Sequence, residues 1–339
     1  MNKIELIFRD NMYDYINKIK VENPNAKFYS HSRLQTFNQC KRSYYYTYID
    51  KKQQKTGVYS ELGTGCHSDL EDLYEGVTDV LTPNNFNKSW KMCELFNISF
   101  PSSKYDIKGN YKKDILNCYK VYNKRDDNGK YISELGFILK IDKDHYIIGY
   151  IDLLILYEDG TCDIVDFKTS SDFDTKHTIE AGRQLILYKL AIEQLYGIKV
   201  NSVAWEMLKY VSVKVGENKL KTGVKGREWV NKCSSQIKTL MKKKGYDSSI
   251  IDMYLLQAIS SNSIDKLPKE IQEQIKVDIY IRKYNVTNEL IEEFWNHTKQ
   301  TILNIELLTD DIINWGTSVD EFFCNNLCGF YPKHCNKLN

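Results

Sequence analysis

The chain has 339 residues, of which 42% are hydrophobic and 27% charged, with a formal net charge of +2. That length holds one large domain or two ordinary ones and buries a substantial core. A balance so near neutral excludes a protein that coats nucleic acid through overall charge, so any such contact must come from local basic patches.

In chain order, residues 1–20 read as an amphipathic helix, with Ile4, Ile7, Met12, Ile16 and Ile19 roughly on one side. Glu5, Arg9 and Asp10 interrupt its apolar residues, so no secretory signal is expected. Ser32 and Gln35 form a capping-box pattern that would open a helix carrying Phe37, Cys40 and Tyr44. A further helix is expected from Gly65 to about Glu75, and the region 84–130 is expected to be helical. From Ser133 the pattern changes to strands at 134–141, 146–157 and 162–168. The turns between them, Asp142-Lys-Asp144 and Glu158-Asp-Gly160, suit hairpins. A helix over 178–196 ends near Gly197, and residues 200–210 resume as a strand. This order predicts an α/β fold, a central mixed β-sheet flanked by helices. Residues 211–310 read as largely helical after a short hairpin near Gly216, and 318–339 form an irregular, cysteine-rich tail. No stretch approaches the roughly 18 apolar residues of a membrane span.

Chemistry concentrates around the expected hairpin. Ile147–Leu156 is apolar almost throughout, and Asp152 sits in its middle. A buried carboxylate needs a cation or hydrogen bonds, so Asp152 is either a structural ion pair or part of a site. On the next strand Asp166 and Lys168 share one face, opposite Val165 and Phe167. Two carboxylates and a lysine would then converge, and a divalent cation relieves the repulsion between the carboxylates. Hard oxygen ligands suit Mg²⁺ or Mn²⁺, and the lysine would position or deprotonate a bound water. A same-face salt bridge explains Asp166 and Lys168 alone, though not Asp152. His67 and Glu71 are four apart on one helix, as are Gln184 and Tyr188 on another. Ordinary packing or a polar helix edge accounts for either pair alone.

Together these segments resemble the PD-(D/E)XK nuclease superfamily, in its RecB-like and CRISPR-associated exonuclease branch. "SRLQTFNQCKRSYYY" (32–46) resembles the opening segment and "GTGCHSDLE" (63–71) the histidine motif. Glu134 resembles an acid often found ahead of the central hairpin. "GYID" (149–152) resembles the second motif, "VDFKT" (165–169) the acid-X-lysine motif and "QLILY" (184–188) the Q-x-x-x-Y motif. The resemblance implies a restriction-endonuclease-like core over 28–210, preceded by an N-terminal helical segment (1–27). A helical addition (211–315) and a cysteine tail (316–339) would follow. It implies that His67, Asp152, Asp166 and the backbone carbonyl of Phe167 bind Mg²⁺ or Mn²⁺ and that Lys168 assists the attacking water. Glu71 would support the metal site, while Gln184 and Tyr188 would orient the lysine or contact the DNA backbone. The reaction implied is hydrolysis of DNA, single- or double-stranded, in replication, recombination or repair, with a helicase or recombination protein as a further partner.

Cys324, Cys328 and Cys335 cluster near the end of the sequence, with Cys40 far upstream. In relatives of this kind one early and three late cysteines hold a [4Fe–4S] cluster, and four thiolates also suit zinc. Cys66, Cys93, Cys118, Cys162 and Cys233 read as ordinary thiols. Nine cysteines without an export signal fit a reducing cytoplasm, bacterial or of an infected host cell. The abundance of Lys, Asn, Ile and Tyr fits an AT-rich genome, such as that of a phage. Lys214, Lys219, Lys221, Lys225, Arg227, Lys238 and Lys242–Lys244 form basic stretches that would track phosphates or merely face solvent. The competing functional reading is a catalytically inactive nucleic-acid-binding or scaffold protein with a structural iron–sulfur or zinc site.

Overall fold

The computed structural model describes residues 6–309 and 311–335. The helices are α1 (Arg9–Glu22), α2 (His31–Gln39), α3 (Lys41–Tyr44), α4 (Val58–Tyr74), α5 (Asn84–Leu95) and α6 (Ile107–Val121). After them come α7 (Thr175–Tyr196), α8 (Trp229–Lys243), α9 (Ser248–Ser261), α10 (Lys269–Gln272), α11 (Asn288–Glu306) and α12 (Glu321–Asn326). The strands are β1 (Lys27–Tyr29), β2 (Lys130–Lys140), β3 (His145–Leu156), β4 (Thr161–Lys168), β5 (Lys199–Val215), β6 (Lys221–Lys225) and β7 (Ile275–Tyr284).

All seven strands join one mixed sheet. β3 pairs antiparallel with β2 and β4 and parallel with β1. β5 runs parallel to β4, through the crossover helix α7, and antiparallel to β6 and β7. The β3–β4 hairpin turns at Gly160, whose φ of +79° is one that glycine adopts without strain. Asp174 caps the start of α7 by accepting from the His177 amide, and Gly197 ends it in the left-handed conformation.

Both faces of the sheet are covered, which is why β3 is apolar almost throughout. On one face α4, α5, α6, α8 and α9 pack over Leu153, Ile155, Val165, Phe167 and Val211. On the other, α2, α7 and α11 cover Ile151, Leu154, Ile164, Trp205 and Met207. Ile151 and Leu154 therefore share a face, although strict alternation would separate them. β2 shows the same reversal, with Ile132 and Leu135 in one cluster. Between them lies Glu134, at a left-handed φ of +50°.

The structure amends several expectations. The N-terminal helix begins at Arg9, and Ile4 lies outside the described residues. Ser30, not Ser32, caps α2, accepting from the Arg33 amide at 3.1 Å. The span 84–130 holds two helices separated by a loop, then a second irregular stretch that leads to Lys130, the first residue of β2. The stretch 211–315 is not wholly helical. It contributes the end of β5 and all of β6 and β7 to the central sheet, where Val211–Val215 pairs with Ile275–Ile279. Among the described residues no helix is long and apolar enough to cross a membrane.

Candidate active site

The pairing of β3 with β4 covers Leu153–Leu156 against Cys162–Val165 and stops there. The next residues outward, Asp152 and Asp166, stand where the two strands part. A carboxylate placed at such a split can approach its neighbour without breaking a ladder. Asp152 Oδ2 accepts from the Phe167 amide at 2.7 Å across this gap. Asp166 is 1% exposed, and its Oδ2 lies 2.7 Å from Lys168 Nζ. That contact is an ion pair by distance, but Oδ2 has no partner in hydrogen-bonding geometry. The Lys168 ammonium donates instead to Gln184 Oε1 at 2.9 Å, and the Gln184 amide donates to the Tyr188 hydroxyl at 2.7 Å. Tyr188 is buried edge-on against Phe137, ring centroids 5.6 Å apart. One turn of α7 thus fixes the lysine through the i, i+4 pair.

From the opposite side α4 brings His67, whose Nδ1 lies 3.6 Å from Asp152 Oδ2. The His67 ring packs edge-on to Phe167, which stacks on Tyr74. The position of α4 is set by a close helix crossing. A Cβ on Gly65 would come within 2.9 Å of the backbone of Asn85 and Phe86 on α5. Asp69, buried two residues after His67, caps α5 by accepting from the Asn85 and Phe86 amides at 2.7 and 3.0 Å, and accepts from the Tyr119 hydroxyl. Glu71 lies one turn beyond His67, and Glu134 of β2 is held by Arg9 of α1 at 2.8 Å.

The electrostatics follow from burial and neighbours. Burial raises the Asp166 carboxyl, Lys168 pulls it back and Asp152 adds to the rise, leaving it up at about 6. Burial also works against ionised Asp152, but His67, Lys168 and the Phe167 amide overcome it and hold that carboxyl below its ordinary value. Burial pulls the His67 imidazole down, yet Asp152, seconded by Asp166, raises it above the usual histidine range. Glu71 and Glu134 are both raised, first by burial; Glu134 adds to the rise of Glu71 and Asp152 to that of Glu134, while Arg9 opposes both.

The sequence profile of the PD-(D/E)XK nuclease superfamily matches residues 29–277. The chain belongs to that superfamily. Its mixed sheet flanked by helices is the superfamily's fold, and a nuclease is the activity the family carries. No curated protein matches the sequence. Among solved structures, a candidate exonuclease from Eubacterium rectale is similar, at 12% identity and a TM-score of 0.42. The match covers 88% of this chain and 85% of that one, a likeness too distant to bear on function.

The PD-(D/E)XK chain therefore brings together Asp152, Asp166, Lys168, His67, Gln184 and Tyr188, with the Phe167 backbone between them. Among the described residues, no three His, Cys, Asp or Glu side chains are already gathered as a metal-holding group. Lys168 stands against Asp166, and Glu71 faces Arg9 and Glu134 rather than the aspartates. The donor set still fits a hard divalent cation, because Asp166 Oδ2 is a buried carboxylate oxygen with no hydrogen bond. Sequence reasoning missed Arg9, which belongs to no motif and meets Glu134 only through the fold.

The tail cysteines gather less tightly. Cys335 is buried beside Tyr46 and Phe330, with Cys328 packed against them. Burial raises its thiol, and Cys40, Cys328 and Cys324 lie near enough to raise it further. They do not, however, form a preassembled ligand set. Cys66, Cys93, Cys118, Cys162 and Cys233 are all buried free thiols.

Proposed function

We propose that this chain is a metal-dependent deoxyribonuclease, working as an exonuclease in DNA replication, recombination or repair. The observation that carries the reading is the buried Asp166 carboxylate at the β3–β4 split, facing Lys168 with Asp152 beside it. Mg²⁺ or Mn²⁺ held by Asp152, Asp166, the Phe167 carbonyl and His67 would supply a Lewis acid and an acidified water. Lys168 Nζ would orient that water and, once it has released its own proton, accept the water's. Gln184 and Tyr188 keep the ammonium aimed, and Glu71 with Glu134 sets the negative field around the metal. Exonucleolytic action, the RecB-like branch and a helicase partner rest on the motif resemblance described above, whereas a phage source rests on composition and a cytoplasmic location on the cysteine usage. A [4Fe–4S] cluster on Cys40, Cys324, Cys328 and Cys335, with zinc as the alternative, also rests on that resemblance, supported by the nearness of the other three cysteines to Cys335.

The test uses anaerobically purified protein with Lys168→Ala and Asp166→Ala variants. Each is incubated with end-labelled single-stranded DNA, double-stranded DNA or RNA, with Mn²⁺, Mg²⁺ or EDTA. Metal-dependent cleavage of DNA that both variants abolish is the expected result. Intact DNA under every condition, with DNA still bound, favours the scaffold reading. Iron, zinc and sulfide content of the same preparation decides the tail.

A further inference from the structure

Beside Lys168, on the α7 side of the sheet, lies a groove of about 310 Å³ between α2, α7 and α11. Its walls come from three separate parts of the sequence. His31, Leu34, Gln35 and Asn38 follow the i, i+3, i+4, i+7 spacing and so form one stripe of α2. Phe294 and His297 form the facing stripe of α11, and Arg183 enters from α7. Leu34 and Phe294 are buried and make an apolar floor, whereas Gln35 and Asn38 are exposed at the rim.

The groove is next to the chemistry. Arg183 immediately precedes Gln184, the residue that holds Lys168. Burial, seconded by Lys168, Arg183 and His297, keeps His31 neutral, down at about 4. Arg183 is itself neutralised by Glu293, to which it donates at 2.6 Å. The Asn38 amide meets His297 Nε2 at 3.0 Å.

The lining is therefore amides and imidazole over an apolar floor, with the arginine already paired and the Glu180 carboxylate of α7 exposed at one edge. That combination suits a flat, uncharged group with hydrogen-bonding edges rather than a phosphate. Asn and Gln pair with base edges, and imidazole offers a stacking face. A volume of about 310 Å³ also excludes a duplex, whose major groove alone is about 12 Å wide.

We propose that this groove receives one unpaired nucleobase of the substrate strand, next to the phosphate being cleaved. The inference rests on the nuclease reading and adds that the strand must be single, or locally unpaired, where it meets α2 and α11. Gln35, Asn38 and His297 are then positioning residues that set where along the strand Lys168 acts.

The experiment walks a single abasic residue along an end-labelled single-stranded DNA past the cleaved bond. Wild type is compared with Gln35→Ala and His297→Ala, after thermal unfolding shows that all three are folded. The expected wild-type result is a fall in kcat/KM of about tenfold at one abasic position, the scale of a single stacked base. Both variants should lose that position dependence and cleave intact and abasic strands alike. Equal wild-type cleavage at every position overturns the groove while leaving the nuclease intact. If no strand is cleaved at all, photocrosslinking of a 4-thiothymidine oligonucleotide in the presence of Ca²⁺ decides. Crosslinks within 31–38 or at 294–298 support the pocket, and crosslinks only elsewhere refute it.

Discussion

Glu134 of β2 stands directly across from Asp152 of β3, between the registered pairs Ser133–Leu153 and Leu135–Ile151, with a left-handed φ of +50°. At this rung the inward and outward sides of both strands exchange, so Asp152 and Leu153 are turned together toward α4. A left-handed non-glycine residue costs about 1–2 kcal/mol and persists where the surroundings fix it. Two substitutions separate the backbone from the carboxylate. Glu134→Gly relieves the strain and Glu134→Ala keeps it, while both remove the acid. We expect Glu134→Gly to be the more stable by about 1 kcal/mol in chemical denaturation, with cleavage reduced equally in both. Full activity in either variant would show that the carboxylate contributes nothing.

The chain from Gln184 to Lys168 should matter for turnover more than for binding. Gln184→Leu removes the acceptor at 2.9 Å and leaves the ammonium aimed only by Asp166. A fall in kcat of about 10–100-fold with little change in KM is expected, within the range of positioned proton-transfer groups. Tyr188→Phe, which removes only the outer partner of Gln184, should fall less. A change confined to KM would argue for substrate contact instead.

Asp166 links metal-free stability to pH. Its folded carboxyl sits at about 6, whereas the unfolded chain loses that proton near 4. Between these values the folded state keeps a proton that the unfolded state has released, so stability falls as pH rises through this window and stays lower above it. Asp166→Asn removes the cost. In EDTA the variant should exceed wild type at about pH 7.5 by on the order of 1–2 kcal/mol, the gap closing below pH 4. Urea titrations at both pH values give the comparison, and a wild type more stable at the higher pH contradicts it.

Gly65 fixes the distance between α4 and α5. Its substitution by alanine sets a methyl against the backbone of Asn85 and Phe86 at 2.9 Å, and backbone cannot swing aside. Gly65→Ala should destabilise by about 1–3 kcal/mol, despite alanine's higher helix propensity. Because His67 rides on the same helix, cleavage should fall even at temperatures where the variant is folded. A Tm equal to that of wild type would mean that the crossing is looser than described.

Much of this was legible in the residues, and the failures have physical causes. The hairpin and its acids were readable because a carboxylate inside an apolar strand is costly anywhere else. β7 was not, although Ile275, Val277, Ile279 and Ile281 alternate. That signal is short, and it follows directly on a run of helices, α8 to α10, whose pattern was extended across it. The cap of α2 was misplaced by two residues because the capping-box pattern fits Ser32, with Gln35 three positions on, and not Ser30, with Arg33 there; the fold nevertheless selects Ser30. The reversal at Glu134 left no trace in the sequence, since glutamate gives no hint of a left-handed backbone. The groove was illegible for a different reason: its walls are some 150 and 110 residues apart in the chain, and each alone is an ordinary amphipathic helix.

Trp315 is 1% exposed, stacked parallel to Tyr44 at 5.6 Å and edge-on to Phe37, and its carbonyl accepts from Arg42. Tyr46 likewise donates to the carbonyl of His334. The helices that follow α2 are therefore finished by residues made some 270 positions later. During synthesis the early aromatic cluster must wait, partly uncovered, until nearly all of the described chain has emerged. The groove wall on α2 takes its final form only then, so a ribosome-bound or truncated chain lacking this segment would carry all the candidate active-site side chains with one wall of the groove unsupported.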